Sequence, residues 1–154
     1  MTKANSPTLN LEDIPNTTSI TPAEQLAASL ELAKTAARAA AENKGQDIVL
    51  LDVSKQTSIF DCFVIASGTS RRQLHAISDE IDHALEALGE RRMSTSGYDE
   101  SRWIVLDYGG LVVHLFDEET RAFYDLEGLW ADSPRVDLTE ALKNTGAAIV
   151  RSEN

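Results

Sequence analysis

Cysteine is nearly missing from this chain: among 154 residues only Cys62 carries a thiol. An internal disulfide is thereby excluded, and a single thiol suits a reducing compartment. Long apolar runs are missing as well. The hydrophobic share is 42 %, ordinary for a globular protein, yet each apolar run is strand-length. None approaches the roughly 18 consecutive apolar residues that span a bilayer. The opening "MTKANSPTLNLEDIPNTTS" has neither an apolar core nor a basic cluster. It reads as neither a secretory signal nor an Arg-rich transit peptide, so the expected location is the cytoplasm. Positive charge is the third shortage, with 14 Lys and Arg against 25 Asp and Glu and a net charge of -11. Nucleic-acid binding usually draws on a basic patch. The only dense basic groups are Arg71-Arg72 and Arg91-Arg92, so little direct RNA or DNA contact is expected. A basic protein partner suits this chain better, with steering that weakens as salt rises.

What is present reads as one domain with length enough to bury a core. Residues 1–20 are polar, contain Pro7 and Pro15 and show no periodicity, the pattern of a flexible N-terminal tail. Order begins at "TPAE": Thr21 caps, Pro22 takes the first helical position and Glu24 completes a capping box. The Ala-rich segment to about Asn43 follows as a helix, with Leu26, Leu30, Ala33 and Ala37 on one face and Gly45 as its left-handed stop. "DIVLLDV" (Asp47 to Val53) and "CFVIASG" (Cys62 to Gly68) read as buried strands. Ser70-x-x-Gln73 opens a second helix whose apolar stripe is Leu74, Ile77, Ile81, Leu85 and Leu88, ended by Gly89. A weak strand near Met93 to Ser96, a hairpin, a helix over "EETRAFYDLEGLW" and a short helix over "DLTEALKN" complete the expectation. The order describes a single α/β domain over residues 21–136, a mixed β-sheet with flanking helices, followed by a C-terminal helix and tail over 137–154.

The hairpin "WIVLDYGGLVVHLF" carries the most information. A two-residue Gly109-Gly110 connection pairs Tyr108 with Leu111, Leu106 with Val113 and Ile104 with Leu115. Side chains alternate, so those six share one side, which is apolar apart from the Tyr108 hydroxyl and packs on the core helices. The other side carries Trp103, Val105, Asp107, Val112, His114 and Phe116. Trp103 faces Phe116, while Asp107 and His114 lie diagonally, about 7–8 Å apart by backbone geometry. Two large aromatics, a carboxylate and an imidazole make a mixture typical of protein interfaces. The other reading is that this side packs under a helix, with Asp107 and His114 satisfying each other. A slip of one residue in register would exchange the two sides.

Few residues point to catalytic chemistry. Asp107 and His114 supply an orienter and a base, but no Ser sits in a G-x-S-x-G elbow and Cys62 lies in an apolar strand. His75 and His83 are about 12 Å apart along a helix, too far to share a metal ion. "SGTSRRQ" places Gly68 to Ser70 at the junction of a strand and a helix, where a phosphate can be cradled, and resembles the opening motif of nucleotidyltransferases. Those enzymes need a D-x-D pair for their metals, and here Asp107 is followed by Tyr108 and Gly109. A nucleotidyl-transferring or nucleotide-binding enzyme using the Gly68 to Ser70 turn is the runner-up. No cofactor or metal is expected. Asp79, Glu80 and Asp82 read as the solvated side of a helix, and Arg121 with Tyr124 as structural.

Three blocks, "DIVLLDVSKQTSIFDCFVIASGTSRRQLHAI", "WIVLDYGGLVVHLF" and "RAFYDLEGLW", resemble the ribosomal silencing factor family (RsfS, also called Iojap-like or YbeB-like). The resemblance runs from about Ala23 to Pro134 in the same order and with similar spacing. It implies an α/β fold related to nucleotidyltransferases but without their catalytic acids, and a non-enzymatic translation repressor. The implied partner is the large ribosomal subunit, bound through its fourteenth ribosomal protein so that the small subunit is sterically blocked from joining. A homodimer is implied for the free protein. The family's ribosome-contact block falls on Trp103, Leu106, Asp107 and Tyr108, and the hairpin geometry extends that surface to His114 and Phe116. This chain departs from the family pattern in having Gly110 where an acid usually follows "DYG". It also has Ser96-Gly97 in place of Glu-Gly, and Cys62 in place of Tyr.

Overall fold

The computed structural model describes residues 20–147; all but the last residue of the tail expected over 1–20, and the end of the C-terminal segment expected over 137–154, lie outside them. Helix α1 (Pro22–Glu42) begins as its capping residues dictate. Thr21 Oγ1 accepts the Glu24 N–H at 3.1 Å, and Glu24 Oε1 accepts the Thr21 N–H at 2.9 Å. Those bonds satisfy two amides that have no partner within the helix and hold the Glu24 carboxyl below its ordinary range. Ala33, Ala36, Ala37 and Ala40 are fully buried, and their small side chains let the helix backbone approach the sheet closely. Leu26 is only half-buried. The left-handed residue at the helix end is Lys44 (φ 65°) rather than Gly45. Gly45 serves instead to let two backbones meet. Its amide donates to the Ala40 carbonyl at 2.8 Å, and a Cβ would lie 2.9 Å from that oxygen.

The sheet contains β1 (Gln46–Asp52), β2 (Cys62–Gly68), β3 (Ser94–Ser96), β4 (Trp103–Asp107) and β5 (Leu111–Asp117), in the spatial order β1-β2-β5-β4-β3. Only β2 and β5 run parallel. The parallel pair is made possible by the long crossover through α2 (Arg71–Glu86), β3 and β4. Ser70 Oγ accepts the Gln73 N–H at 3.0 Å to start α2. Leu74, Ile77, Ile81 and Leu85 are buried as its stripe requires, but Leu88 is exposed because the helix has ended at Glu86 and Gly89 turns the chain away at φ 86°.

Two apolar layers result. Helices α1 and α2 cover one face of the sheet, over Val64, Ala66, Ile104, Leu106, Val113 and Leu115. The opposite face holds Val49, Leu51, Val53, Phe63, Ile65, Val112 and Phe116, with Leu126 buried against them and Trp103, Val105 and Trp130 partly buried. The single helix expected over Glu118 to Trp130 is two short ones, α3 (Glu118–Tyr124) and α4 (Leu126–Leu129). Asp125 takes φ 44°, which no helix interior accommodates, and its Oδ1 accepts the Gly128 N–H at 3.2 Å to start the second. The C-terminal helix expected over "DLTEALKN" is instead a series of turns, with Thr139 bonded to Asp137 Oδ1. Leu138 and Leu142 nevertheless reach the core beside α1. The edge of β1 is occupied by the segment at 134–136: Asp52 N–H donates to the Pro134 carbonyl at 2.9 Å and Val136 N–H to Leu50 at 2.8 Å. Among the described residues no helix is long and apolar enough to cross a membrane.

Candidate functional site

The β4-β5 hairpin adopts the register set by its glycine pair. Trp103 lies opposite Phe116, Ile104 opposite Leu115, Leu106 opposite Val113 and Asp107 opposite Val112. Tyr108 N–H donates to the Leu111 carbonyl at 2.9 Å, and Gly109 takes the positive φ of 96° that the turn demands. The six expected contact residues are therefore divided between the two sides of the sheet. Leu106 has no exposed surface and packs under the helices. Tyr108 lies beside it, and its hydroxyl donates to Asp82 Oδ1 at 3.0 Å. Burial, and then the Asp82 carboxylate, push the Tyr108 hydroxyl far above its usual pKa.

Trp103, Asp107, His114 and Phe116 share the other side, but Asp107 and His114 do not satisfy each other. Asp107 Oδ1 accepts the Gly109 N–H at 2.8 Å, because a short carboxylate next to a turn finds the turn amide first. His114 Nδ1 accepts the Trp103 Nε1–H at 3.1 Å. That bond fixes the tautomer: the proton sits on Nε2, which is buried without a partner. Burial lowers the His114 pKa to about 4, so the ring is neutral at physiological pH.

The rings make a continuous band across this face. Trp103 stacks on Phe116 with centroids 4.9 Å apart, and Phe63 meets His114 edge-on at 4.9 Å and Trp130 at 5.0 Å. Phe116 and His114 are buried within the band, whereas Trp103 and Asp107 are half-buried and keep some surface in contact with solvent. Beyond Trp103 the band continues to residues that sequence reasoning missed. Tyr124 lies 5.0 Å from Trp103, and Phe123 meets Tyr124 edge-on at 4.9 Å. Both are well exposed on α3, at 50 % and 78 %. Two adjacent aromatics in "RAFYD" were the available signal. Arg121, two residues before them, is fully engaged: its guanidinium forks onto Glu127 with two 3.0 Å bonds and reaches Ser67 Oγ at 2.8 Å.

The features that hinted at catalysis are committed elsewhere. At the junction after Gly68 two amides are already taken, Thr69 N–H by Gln73 Oε1 at 2.7 Å and Gln73 N–H by Ser70 Oγ at 3.0 Å. Gly68 leaves room for Leu74, since a Cβ there would lie 2.8 Å from that side chain. Ser101 Oγ lies 2.7 Å from His75 Nε2, a geometry that suggests an activated hydroxyl. The same nitrogen is 2.7 Å from the Tyr98 carbonyl, which can only accept, so Nε2 carries the proton and cannot take one from Ser101. The nearby carboxylate, Asp79, bonds the Tyr98 hydroxyl. Cys62 is buried, and burial, reinforced by Asp61 and Asp52, pushes its thiol up to about 12. Among the described residues no group of three or more His, Cys, Asp or Glu is placed to hold a metal ion.

The fold and site define an α/β domain with helices on one sheet face and, on the other, an aromatic band that surfaces at Trp103, Tyr124 and Phe123. A family model described as "Ribosomal silencing factor during starvation" matches residues 26–153. The chain belongs to the ribosomal silencing factor (RsfS) family. A Bacillus subtilis (strain 168) ribosomal silencing factor is 38 % identical over 105 residues, which is 68 % of this chain and 89 % of that protein. One from Halalkalibacterium halodurans is 36 % identical over 108 residues, 70 % of this chain and 92 % of its own. The crystal structure of a Chromobacterium violaceum protein superposes with a TM-score of 0.65 at 35 % identity, covering 67 % of this chain and 86 % of that one.

Proposed function

We propose that this chain is a translation repressor that acts without making or breaking a covalent bond. It binds the large ribosomal subunit through the fourteenth ribosomal protein and occupies the surface on which the small subunit must land. It works in the cytoplasm, and the free protein is a homodimer. Family membership supports the ribosomal role, and the charge of -11 favours a basic ribosomal protein over RNA phosphates as the main contact.

The observation that carries the reading is the state of Trp103. It stands on the sheet face away from α1 and α2, half-buried, with its indole N–H held by His114 and its ring stacked on Phe116. A large ring already fixed in place loses little conformational freedom on binding, which is what makes an interface anchor effective. Trp103 and Asp107 touch the partner. Leu106 and Tyr108 hold the hairpin from behind, and His114 and Phe116 set the orientation of Trp103.

Co-sedimentation with purified large subunits tests this. Trp103→Ala is expected to weaken binding by about 2 kcal/mol or more, roughly 30-fold, while far-ultraviolet circular dichroism shows a folded protein. Unchanged pelleting of a folded Trp103→Ala variant would remove Trp103 from the interface and with it this reading.

A further inference from the structure

A groove of about 460 Å³ opens between the chain preceding β4 and helix α3, its lining including Glu100, Arg102, Trp103, Glu119, Phe123 and Tyr124. We infer that this groove is the seat for an arginine side chain of the ribosomal partner, stacked on one ring of the tilted cluster of Trp103, Tyr124 and Phe123 and paired with Glu100 and Glu119. The inference rests on the function proposed above and names the chemistry by which that surface recognises its partner.

Three observations converge on a guanidinium. The first is what the aromatics offer. The only hydrogen-bond donor of the Trp103 ring is spent on His114, so its remaining attraction for a ligand is the negative face of the π system. The rings of Tyr124, at 5.0 Å, and Phe123 beyond it extend that surface. Phe123, at 78 % exposed, and Tyr124, at 50 %, leave apolar area in water that a flat cation would cover.

The second is the disposition of charge. Glu119 and Phe123 are four residues apart on α3 and so stand on one side of it. Neither Glu119 nor Glu100 has a hydrogen-bond or ion-pair partner among the described residues. The one basic residue of α3, Arg121, is locked to Glu127 and Ser67 and cannot neutralise them. Arg102 is the only cation in the lining, which leaves the groove with two acids against one base. The third is shape. Between an aromatic ring face and two carboxylates, a planar fork of N–H donors stacks and pairs at once, which the compact ammonium of lysine does less well.

The test has two arms on the full chain. In the first, large subunits are titrated with the native chain, with Phe123→Leu and with the double variant Glu100→Gln/Glu119→Gln. All three changes are at exposed positions and leave the core intact. Each variant is expected to bind on the order of 10-fold more weakly, and the double variant to show a shallower salt dependence. In the second, nuclear magnetic resonance follows the Trp103 indole N–H and the Phe123 and Tyr124 rings during addition of N-acetyl-arginine methylamide or its neutral citrulline counterpart. Selective movement with arginine supports the assignment. Equal responses to the two probes overturn it. Variants that bind subunits as tightly as the native chain overturn it too, while leaving the repressor function standing. If the native chain fails to pellet with subunits yet the arginine probe still seats selectively, the function falls and the groove's preference for guanidinium stands.

Discussion

Lowering the pH should destabilise this protein through His114 in a way that can be isolated from its other groups. The folded ring titrates near 4 because burial penalises the charged form, against an ordinary value of 6.5. Between those limits the unfolded chain binds a proton that the folded chain excludes, so stability rises with pH across the window. It is complete above about 6.5 and lost as pH falls toward 4. The difference corresponds to about 3 kcal/mol, a large share of the roughly 5–15 kcal/mol that holds a domain together. Protonation would also put a hydrogen on Nδ1, the atom that accepts from Trp103, and so release the indole. Urea unfolding followed by tryptophan fluorescence, across that pH range, gives the slope. The His114→Phe variant supplies the control: it is less stable at neutral pH, because the Trp103 N–H loses its acceptor, but its stability changes by about 3 kcal/mol less between pH 6.5 and 4. Parallel pH profiles for the native and His114→Phe proteins would refute the burial of a neutral imidazole.

Further outcomes follow from the same structure. Leu106→Ala should cost about 2–5 kcal/mol in chemical denaturation, since the side chain has no exposed surface; subunit affinity of the folded fraction should be nearly unchanged, because Leu106 supports the hairpin from behind. Gly97→Ala should cost more than about 2 kcal/mol in the same assay: φ is 74°, and a Cβ would run into the Trp103 carbonyl oxygen. Cys62 should resist thiol reagents in the native state and react fully in urea, given its burial and a thiol pKa of about 12; fast labelling of the folded protein would contradict its placement in β2.

The parts of this structure that are legible in the sequence are those governed by local chemistry. The Thr21-Pro22-Glu24 capping box, the Ser70 cap of α2 and the Gly109-Gly110 register each depend on residues within a few positions of one another, and each is found as expected. Where structure and expectation part, a longer-range contact or a competing local bond decides. Asp125 breaks one expected helix into two by taking a left-handed conformation that Asp tolerates and by capping α4 itself. Asp107 does not pair with His114, because the amide of Gly109 lies closer at hand. The division of the contact block follows from strand alternation, which by itself puts Leu106 and Tyr108 on the core side. The family resemblance groups them with Trp103 and Asp107 as contacts, and a resemblance carries no information about which face a residue occupies. Phe123 and Tyr124 are legible as residues but not as neighbours of Trp103, because only the turn from β5 into α3 brings them against the sheet.

The most direct test of the proposed mechanism is the joining of ribosomal subunits in the presence of this protein, followed by light scattering of a mixture of purified large and small subunits. The native chain, added in proportion to large subunits, is expected to suppress the rise in scattering, and Trp103→Ala to restore it. Full joining with the native chain demonstrably bound to the large subunit would contradict the claim that the protein acts as an obstacle.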